Sequence, residues 1–365
     1  MVQHRLDRIV IEGYKSIRAC DLTLGPLNVL VGPNGAGKSN FVSALGLLGA
    51  IVNGNLQLTV ARSGGASTLL HGGPKLTEYL ILETYFGQNG YLAQLGPGSR
   101  DELIFERESA LFLGEGFANP LVEELGRGIL ESNLLRVATE RPGRVADHCL
   151  RAMRDWKVFH FQDTSPQAAV KQKQLIDNNE SLDSNAANLA PFLFRLRETD
   201  RDSYNRIVDS VRLVAPYFRE FRLQPDRINN DRIQLEWQQV GSDGYFNGHA
   251  LSDGTLRFIC LSTLLLQPQP PSVIIIDEPE LGLHPFAITQ LAGMFRAATN
   301  EHQLIVSTQS VTLLNQLDLG EIVVVEQHYG ESSFERPDID SLQQWLSEYA
   351  IGELWEKNVL GGRPY

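Results

Sequence analysis

The sequence of 365 residues lacks several features that would assign it to particular protein classes. Its three cysteines, Cys20, Cys149 and Cys260, are scattered without CxxC spacing, so neither disulfides nor a cysteine-bound zinc site is expected. The chain contains no run of roughly 18 uncharged apolar residues, and its N-terminus has no signal-like apolar core. We therefore expect a cytoplasmic protein that does not enter the membrane.

An excess of positive charge is also missing. Asp and Glu number 44 against 32 Lys and Arg, and the formal net charge of −12 argues against a protein wrapped in nucleic acid. Basic residues do gather within residues 141–157 and 195–232, but the second group is interleaved with acidic residues. Mixed charge of this kind is typical of a solvated helix face, although a local nucleic-acid surface stays open as the alternative.

What the sequence does contain is a complete phosphate-binding loop, Gly32-Pro33-Asn34-Gly35-Ala36-Gly37-Lys38-Ser39. Apolar residues 29–31 before it predict a buried strand, and residues 41–48 after it predict a helix, which is the context that the motif requires. The glycines let backbone N–H groups turn towards a phosphate at the positive end of that helix. Lys38 is expected to span the β- and γ-phosphates, and the Ser39 hydroxyl to bind Mg²⁺.

A second motif points to the same chemistry, Ser272-Val273-Ile274-Ile275-Ile276-Asp277-Glu278-Pro279. Its apolar run predicts a strand that is buried on both faces of a parallel sheet and ends in two carboxylates. Asp277 is expected to hold Mg²⁺ through water. Glu278 is placed to activate the attacking water, because phosphoryl transfer needs that water in line with the leaving group.

The spacing of these motifs excludes a compact nucleotide-binding domain. Lys38 and Asp277 are more than two hundred residues apart, so a further lobe must be inserted between them. The segment Leu251-Ser252-Asp253-Gly254-Thr255-Leu256-Arg257 lies shortly before Asp277. By itself it is compatible with a plain turn and helix cap. At this spacing it resembles the signature motif of ABC ATPases.

Together these motifs resemble the RecF/SMC/OLD-type group of ABC ATPases, and within it the small single-chain ATPases of bacteria. The opening step Tyr14-Lys15-Ser16 and the D-loop, residues 279–285, also carry the resemblance, and residues 352–358 carry it more weakly. It covers residues 1–50 and 250–325 well. It implies an α/β fold: an ABC-type P-loop ATPase head with a mixed central sheet, an antiparallel β subdomain and an inserted, mainly helical lobe.

The resemblance also implies roles for individual residues. The expected ATP contacts are Lys15, Ser16, Pro33, Asn34, Gly35, Ala36, Gly37, Lys38, Ser39, Asn40, Gln162, Ser252 and Gly254. The expected Mg²⁺ ligands are Ser39, Asp277 and Gln162, and the expected catalytic residues are Glu278, Lys38 and Gln309. In this group the signature Ser and Gly open a helix whose N-terminus meets the γ-phosphate held by the other subunit, which implies a homodimer around two Mg-ATP.

The sequence departs from the family pattern at the switch position. The family usually has a His after the strand that follows the D-loop, and here Gln309 occupies that place. A Gln can donate a neutral hydrogen bond to the γ-phosphate but cannot carry a proton, so hydrolysis is expected to be slower or differently regulated. The lobe-connecting glutamine is also open: Gln162 follows a strand-like segment, while Gln88 and Gln94 remain alternatives.

The motifs divide the chain into four expected regions. Residues 1–160 form the first ATPase lobe, with the phosphate-binding loop and an antiparallel β meander over residues 75–112. Residues 161–250 form the inserted lobe, with helical periodicity over residues 166–216 and a strand-like residue pattern over residues 221–240. Residues 251–325 complete the head with the signature, the Asp277 strand, the D-loop and the switch, and residues 326–365 pack on it as an extension.

Two larger architectures of the group are not expected. No stretch keeps a heptad repeat for more than about three heptads without Pro or Gly, which excludes a long coiled-coil arm. Too few residues follow Gln309 for the metal nuclease domain of OLD-type relatives. Asp338-Ile339-Asp340 resembles carboxylates of that domain but is expected to be a loop and helix cap.

Three functional classes remain. The first is an ATPase that acts on DNA or on a partner protein, such as a separate nuclease or effector, in DNA repair or antiphage defence, and Tyr14-Lys15-Ser16 favours it. The second is the nucleotide-binding subunit of a transporter, which would need a membrane partner and is usually smaller. The third is a slow or non-hydrolysing ATP sensor, which Gln309 suggests. ATP and Mg²⁺ are the expected cofactors.

Overall fold

The computed structural model describes residues 5–114, 120–346 and 348–361. The strands are β1 (Arg8–Tyr14), β2 (Ile17–Thr23), β3 (Leu27–Val31), β4 (Leu80–Phe86), β5 (Asn89–Pro97), β6 (Leu103–Phe112), β7 (Leu121–Gly126), β8 (Lys157–Phe159), β9 (Gln174–Leu175), β10 (Phe218–Arg222), β11 (Arg232–Ile233), β12 (Glu236–Gln239), β13 (Tyr245–Asn247), β14 (Val273–Asp277), β15 (Gln303–Thr308), β16 (Ile322–His328) and β17 (Glu331–Glu335). The helices are α1 (Lys38–Val52), α2 (Leu56–Arg62), α3 (Ala66–Leu69), α4 (Leu134–Glu140), α5 (Val145–Met153), α6 (Leu189–Thr199), α7 (Arg201–Val214), α8 (Asp253–Leu266), α9 (Pro285–Ala298), α10 (Val311–Leu314), α11 (Ile339–Leu346) and α12 (Ile351–Glu356).

The central sheet is mixed, as expected, with the strand order β17-β16-β3-β15-β14-β8. The strands from β16 to β8 run parallel, and β17 is antiparallel to β16. Every residue of β3 and β15 is buried, which agrees with parallel strands that are covered on both faces of the sheet. Strand β15 lies between the strands that precede Gly32 and end at Asp277, so these two motifs are not on adjacent strands.

A second, antiparallel sheet has the order β2-β1-β4-β5-β6-β7. It contains the predicted meander, whose strands alternate buried and partly exposed residues, as in β4. The opening strands β1 and β2 join its edge. The antiparallel β subdomain is therefore confirmed, and it is built partly from residues that precede the phosphate-binding loop.

The central sheet separates two buried clusters because successive side chains of a strand point to opposite faces. In β14, Ile274 and Ile276 belong to the cluster shared with the inserted lobe. Val273 and Ile275 belong to the cluster beneath α1 and the antiparallel sheet. Strand β14 thus has no solvated face, and its end at Asp277 is held from both sides.

The inserted lobe consists of α6 and α7 followed by the small sheet β10-β12-β13. The expected helix over 166–216 is wrong for residues 166–188, which form loops, a short turn of 3₁₀-helix at Ala169–Lys171 and β9. Buried Asn188 accepts a hydrogen bond from the Asp183 N–H and donates to the carbonyls of Asn178 and Ser181. Such local side-chain bonds compete with helix formation.

The residues after the switch belong structurally to the head. Strand β16, which pairs with β3, continues past the expected boundary at residue 325. The Arg336 guanidinium donates to Asn28 Oδ1 at 2.6 Å and to the Thr23 carbonyl. Asp338 Oδ1 accepts from the Asp340 N–H at 3.2 Å at the start of α11, which is the cap expected there. No helix among the described residues is both long and apolar enough to cross a membrane.

Candidate nucleotide-binding site

The candidate site lies along one edge of the central sheet. Because β3, β15, β14 and β8 are adjacent and parallel, their carboxyl ends meet at the same edge. Those ends lead to the phosphate-binding loop, to Gln309, to Asp277 and to Gln162. The structure therefore brings together residues from four separate parts of the sequence.

The phosphate-binding loop has the backbone of an anion cradle. Gly35 and Gly37 have φ of 83° and 112°, values that side chains disfavour, and Gly37 is the residue from which α1 begins. A Cβ on Gly37 would collide with the Ser332 hydroxyl of β17 and come within 3.0 Å of Ser16 Oγ. The loop is thus closed from behind, and its N–H groups and the N-terminus of α1 suit a phosphate.

Lys38 is held inside this cradle. Its Nζ donates to the carbonyls of Gly32 at 2.7 Å and Pro33 at 3.0 Å, and the residue is 5% exposed. Burial lowers the pKa of the Lys38 ammonium, while the charges of Glu278 and Asp277 oppose that shift. A phosphate would place an opposite charge in direct contact with this ammonium, which the two carbonyls do not provide.

The opening segment supports the loop from the side. Ser16 Oγ accepts from Asn40 Nδ2 at 2.6 Å and from Ser332 Oγ at 2.7 Å. Lys15 has φ of 48°, and its Nζ donates to Ser43 Oγ of α1 at 3.1 Å. Ser332 was missed by sequence reasoning, because no motif connects it to a loop almost three hundred residues earlier.

The two acidic residues at the end of β14 are held by β15. The Ser307 hydroxyl donates to Asp277 Oδ1, and the Glu278 N–H donates to the Ser307 carbonyl at 3.0 Å. Glu278 has φ of 48°, a left-handed conformation that costs a non-glycine residue on the order of 1–3 kcal/mol. This strain lies at the residue to which sequence reasoning assigned water activation.

Gln309 contacts the predicted catalytic glutamate directly. Its Nε2 donates to Glu278 Oε1 at 2.7 Å, where a charge-assisted hydrogen bond orients the carboxylate. The switch position and the end of β14 are therefore one hydrogen-bonded unit. Sequence reasoning predicted a γ-phosphate contact for Gln309 and did not predict this one.

Glu280 is a second buried carboxylate beside this pair, and sequence reasoning gave it no role. Its Oε1 accepts from Thr308 Oγ1 at 2.6 Å and from the Gln309 N–H at 3.0 Å. Its Oε2 is buried without a hydrogen-bond partner among the described residues. Burial raises the pKa of Glu280, and the charge of Glu278 adds to the shift. Glu280 fixes the backbone from which the Gln309 side chain extends.

The signature segment begins α8 and packs against the D-loop. Ser252 caps the helix, its Oγ accepting from the Thr255 N–H at 3.2 Å. A Cβ on Gly254 would collide with the carbonyl oxygen of Gly282. The alternative of a plain helix cap is thus correct for the local geometry of Ser252, and the close packing at Gly254 adds a specific partner.

Arg257 of α8 connects three segments of the site. Its guanidinium donates to the carbonyls of Phe161 at 3.2 Å, Gln162 at 2.7 Å and Leu281 at 2.8 Å. The signature helix, the segment at Gln162 and the D-loop are therefore bound to one side chain. Arg257 is the last residue of the signature segment, which marked it in the sequence. Its three partners could not be predicted because they are distant in sequence.

The position of Gln162 favours it over the other two glutamines as the lobe connector. It lies three residues beyond β8, which pairs with β14, and its side chain is exposed. Gln88 is in the turn between β4 and β5, and Gln94 pairs within the antiparallel sheet. Both alternatives therefore belong to the other sheet.

Several of the clustered basic side chains have acidic partners. Arg141 pairs with Glu123 at 3.1 Å and Arg151 with Asp147 at 2.7 Å. Such pairing supports the interpretation of a solvated surface of mixed charge. Within the part of the chain that the structure describes, no group of three or more His, Cys, Asp or Glu side chains is arranged to hold a metal ion.

A known family model matches this chain over more than half of its length. The model is AAA_21, described as "AAA domain, putative AbiEii toxin, Type IV TA system", and it matches residues 27–104 and 136–315. The match begins with the strand before the phosphate-binding loop and ends after the switch. It skips part of the antiparallel sheet.

Curated relatives are similar over shorter stretches. The DNA replication and repair protein RecF of Magnetococcus marinus is 29% identical over 157 residues, which are 42% of this chain and 36% of that protein. RecF of Aliivibrio fischeri is 27% identical over 180 residues, 48% of this chain and 45% of the relative. The matched part of this chain thus spans less than half the length of these relatives.

Solved structures share the fold. An Smc head bound to the C-terminal winged-helix domain of ScpA has a TM-score of 0.61 at 17% identity, covering 93% of this chain and 99% of that one. An Smc head from Pyrococcus furiosus with an extended coiled coil, bound to the C-terminal domain of ScpA, has a TM-score of 0.59 at 15% identity, covering 94% and 99%. The architecture is that of an SMC-type ATPase head.

Proposed function

This chain belongs to the AAA_21 family of RecF- and SMC-like ATPases, and we propose from that premise that it hydrolyses ATP between two copies of itself. Closure of the two heads around two Mg-ATP, and their opening after hydrolysis, would then act on DNA or on a partner protein. The observation that carries the proposal is the hydrogen bond from Gln309 to Glu278, beside the cradle that holds Lys38. It orients a carboxylate at the edge of the sheet where the phosphate-binding loop also lies.

The residues present fit ATP with Mg²⁺. The loop from Gly32 to Ser39 offers N–H groups and a buried ammonium to the phosphates, and Ser39, Asp277 and Gln162 offer oxygen ligands at one edge. Mg²⁺ bound there would offset charge on the β- and γ-phosphates. The hydroxyl of Ser307 donates to Asp277 Oδ1 and restrains this carboxylate.

Glu278 is the proposed base that takes a proton from the attacking water. Its carboxylate is aimed by Gln309 on one side, and its backbone is held in a strained conformation by Ser307 on the other. Positioning of this kind is the main contribution a protein makes to phosphoryl transfer. Because its amide nitrogen carries two N–H donors, Gln309 could donate to the γ-phosphate with the one that does not bind Glu278.

Ser252 and Gly254 are proposed to complete the site of the second subunit. They lie at the N-terminus of α8, whose positive end suits a phosphate, and Gly254 packs against Gly282 of the D-loop. Closure would bring this helix end to the γ-phosphate of the partner. A subunit alone would then bind ATP without hydrolysing it at full rate.

Turnover measurements test the hydrolytic part of the proposal. ATP hydrolysis by the native chain should be measurable, and Glu278→Gln should lower kcat by roughly a thousandfold while leaving ATP binding intact. Stimulation by duplex DNA would identify DNA as the effector. Equal turnover by the native chain and Glu278→Gln would refute the assignment of the base.

A complementation experiment tests the shared site. Glu278→Gln should form an ATP-dependent dimer in light scattering. Mixing Lys38→Ala with Ser252→Arg subunits should restore turnover to a fraction of the native value, because the mixed dimer keeps one intact composite site. A monomeric ATPase would show no restoration.

A second candidate function is a slow, ATP-gated scaffold. The observation that favours it is again Gln309, a neutral amide that already occupies Glu278. In that case ATP would close the dimer and turnover would stay near zero with and without DNA. The same turnover and light-scattering measurements distinguish the two candidates.

A further inference from the structure

Lys171 is a buried lysine that the proposed mechanism has not used. It ends the 3₁₀ turn of the inserted lobe, its side chain is 6% exposed, and its Nζ donates to the Thr164 carbonyl at 2.5 Å. The same Nζ lies 3.7 Å from Asp253 Oδ1. A buried ammonium is costly without compensation, and Asp253 supplies the opposite charge.

Asp253 places a carboxylate at the helix end that is proposed to bind phosphate. It stands between Ser252 and Gly254 at the first position of α8, and its side chain is 62% exposed. In the proposed dimer this helix end meets the γ-phosphate of the partner's ATP. A free carboxylate there would repel the phosphate that the helix end attracts, so the site works better if Asp253 is neutralised.

The position of Lys171 also joins the two functional segments of one head. Thr164, whose carbonyl binds the ammonium, follows Gln162 by two residues and is itself reached by the Arg257 guanidinium at 3.4 Å. The Lys171 carbonyl accepts from Gln234 Nε2 at 2.8 Å, which fixes the backbone of the turn to the inserted lobe. The position of the Lys171 ammonium is therefore fixed by the surrounding backbone, whereas the side chain of a lysine on the surface would be mobile.

We propose that Lys171 is a charge-compensating and positioning residue for the phosphate site of the opposite subunit. It neutralises Asp253 and holds it away from the γ-phosphate that Ser252 and Gly254 receive. The inference rests on the proposed two-headed mechanism and adds to it a residue that belongs to no sequence motif. Lys171 would act on ATP bound by the partner and leave ATP bound by its own head unaffected.

The test compares ATP-dependent dimerisation in the Glu278→Gln background by light scattering. Lys171→Met, which keeps the volume and removes the charge, should weaken the dimer about tenfold, and adding Asp253→Asn should restore it. The defect of Lys171→Met should also shrink as salt is raised, because salt screens the exposed carboxylate. Lys173→Met is the matched control, since Lys173 pairs with Asp226 elsewhere in the lobe, and it should have no effect.

ATP binding and dimerisation together separate a folding defect from the proposed role of Lys171. ATP binding to the dilute, monomeric Lys171→Met protein should equal that of the parent, which shows that the fold is intact. Unchanged dimerisation in Lys171→Met, or a defect that Asp253→Asn does not relieve, would overturn the inference while leaving the two-headed mechanism standing. Failure of the parent Glu278→Gln protein to dimerise with ATP would overturn both.

Discussion

The hydrogen bond between Gln309 and Glu278 leads to the sharpest prediction. Gln309→Ala removes a donor that lies 2.7 Å from a carboxylate, and a hydrogen bond to a charged group contributes about 1.5–3 kcal/mol. If that free energy is used to position Glu278 in the transition state, kcat should fall by roughly 10- to 100-fold. The KM for ATP should change less than about threefold, because Lys38 and the loop retain the phosphates.

The assay is steady-state ATP turnover across pH. Gln309→His restores a donor of similar reach, and its turnover should acquire a new dependence on pH around 6.5, the usual pKa of His. The native chain should lack that dependence, since an amide does not titrate there. Gln239→Ala, which removes an exposed amide in the inserted lobe, is the matched control and should leave kcat unchanged.

Three results would contradict this prediction. If Gln309→Ala has native kcat, the amide does not position the base. If kcat and the reciprocal of KM fall together, Gln309 contributes to binding of ATP as a whole and its contact with Glu278 is incidental. Faster turnover in Gln309→Ala would show that the hydrogen bond restrains Glu278, which would support the slow scaffold.

Three further predictions concern the support of the site. Gly37→Ala should abolish ATP binding in calorimetry, because φ is 112° and the new methyl group meets Ser332 Oγ, and Ser332→Gly in the same chain should recover only part of the affinity. Burial raises the pKa of Glu280, so its charged form opposes folding at a pH above that pKa; Glu280→Gln should raise Tm by about 1–3 °C at pH 8, with the difference vanishing at acid pH, as thermal scans would show. Arg257→Lys should lower the free energy of unfolding in urea by about 2–3 kcal/mol, because an ammonium cannot reach the three carbonyls that the guanidinium fork binds, and an unchanged midpoint would contradict this.

The strands that precede the motifs were predictable because burial on both faces of a sheet requires a run of apolar residues. Val29 and Ile274 lie in such runs, and the turns and helix starts around them have specific glycines and caps. The loop at residues 166–188 was not predictable in the same way. Its conformation depends on buried Asn188, whose amide bonds to three backbone groups that no periodic pattern reveals.

In the candidate site, too, residues at local spacing were predictable and residues that act across strands were not. The residues proposed to touch phosphate lie at fixed local spacing, since one loop and one helix end must present them, and sequence alone was enough to predict them. Residues that support them act across strands: Ser332 reaches Ser16, and Glu280 reaches Gln309. Such contacts depend on sheet order and register, which sequence periodicity does not determine.

In the proposed mechanism, the charges at this edge give a physical reason for a second head. The ammonium of Lys38 lies within the electrostatic reach of Asp277, Glu278 and Glu280, so acidic groups outnumber it before the phosphates of ATP arrive. Burial favours the neutral form of Glu280, and Mg²⁺ bound at this edge would offset more of the negative charge. In the proposed dimer, the positive end of the partner's α8, with its Asp253 neutralised by Lys171, would add compensation from outside this edge. Hydrolysis would then follow dimer closure because closure completes the electrostatics of the site.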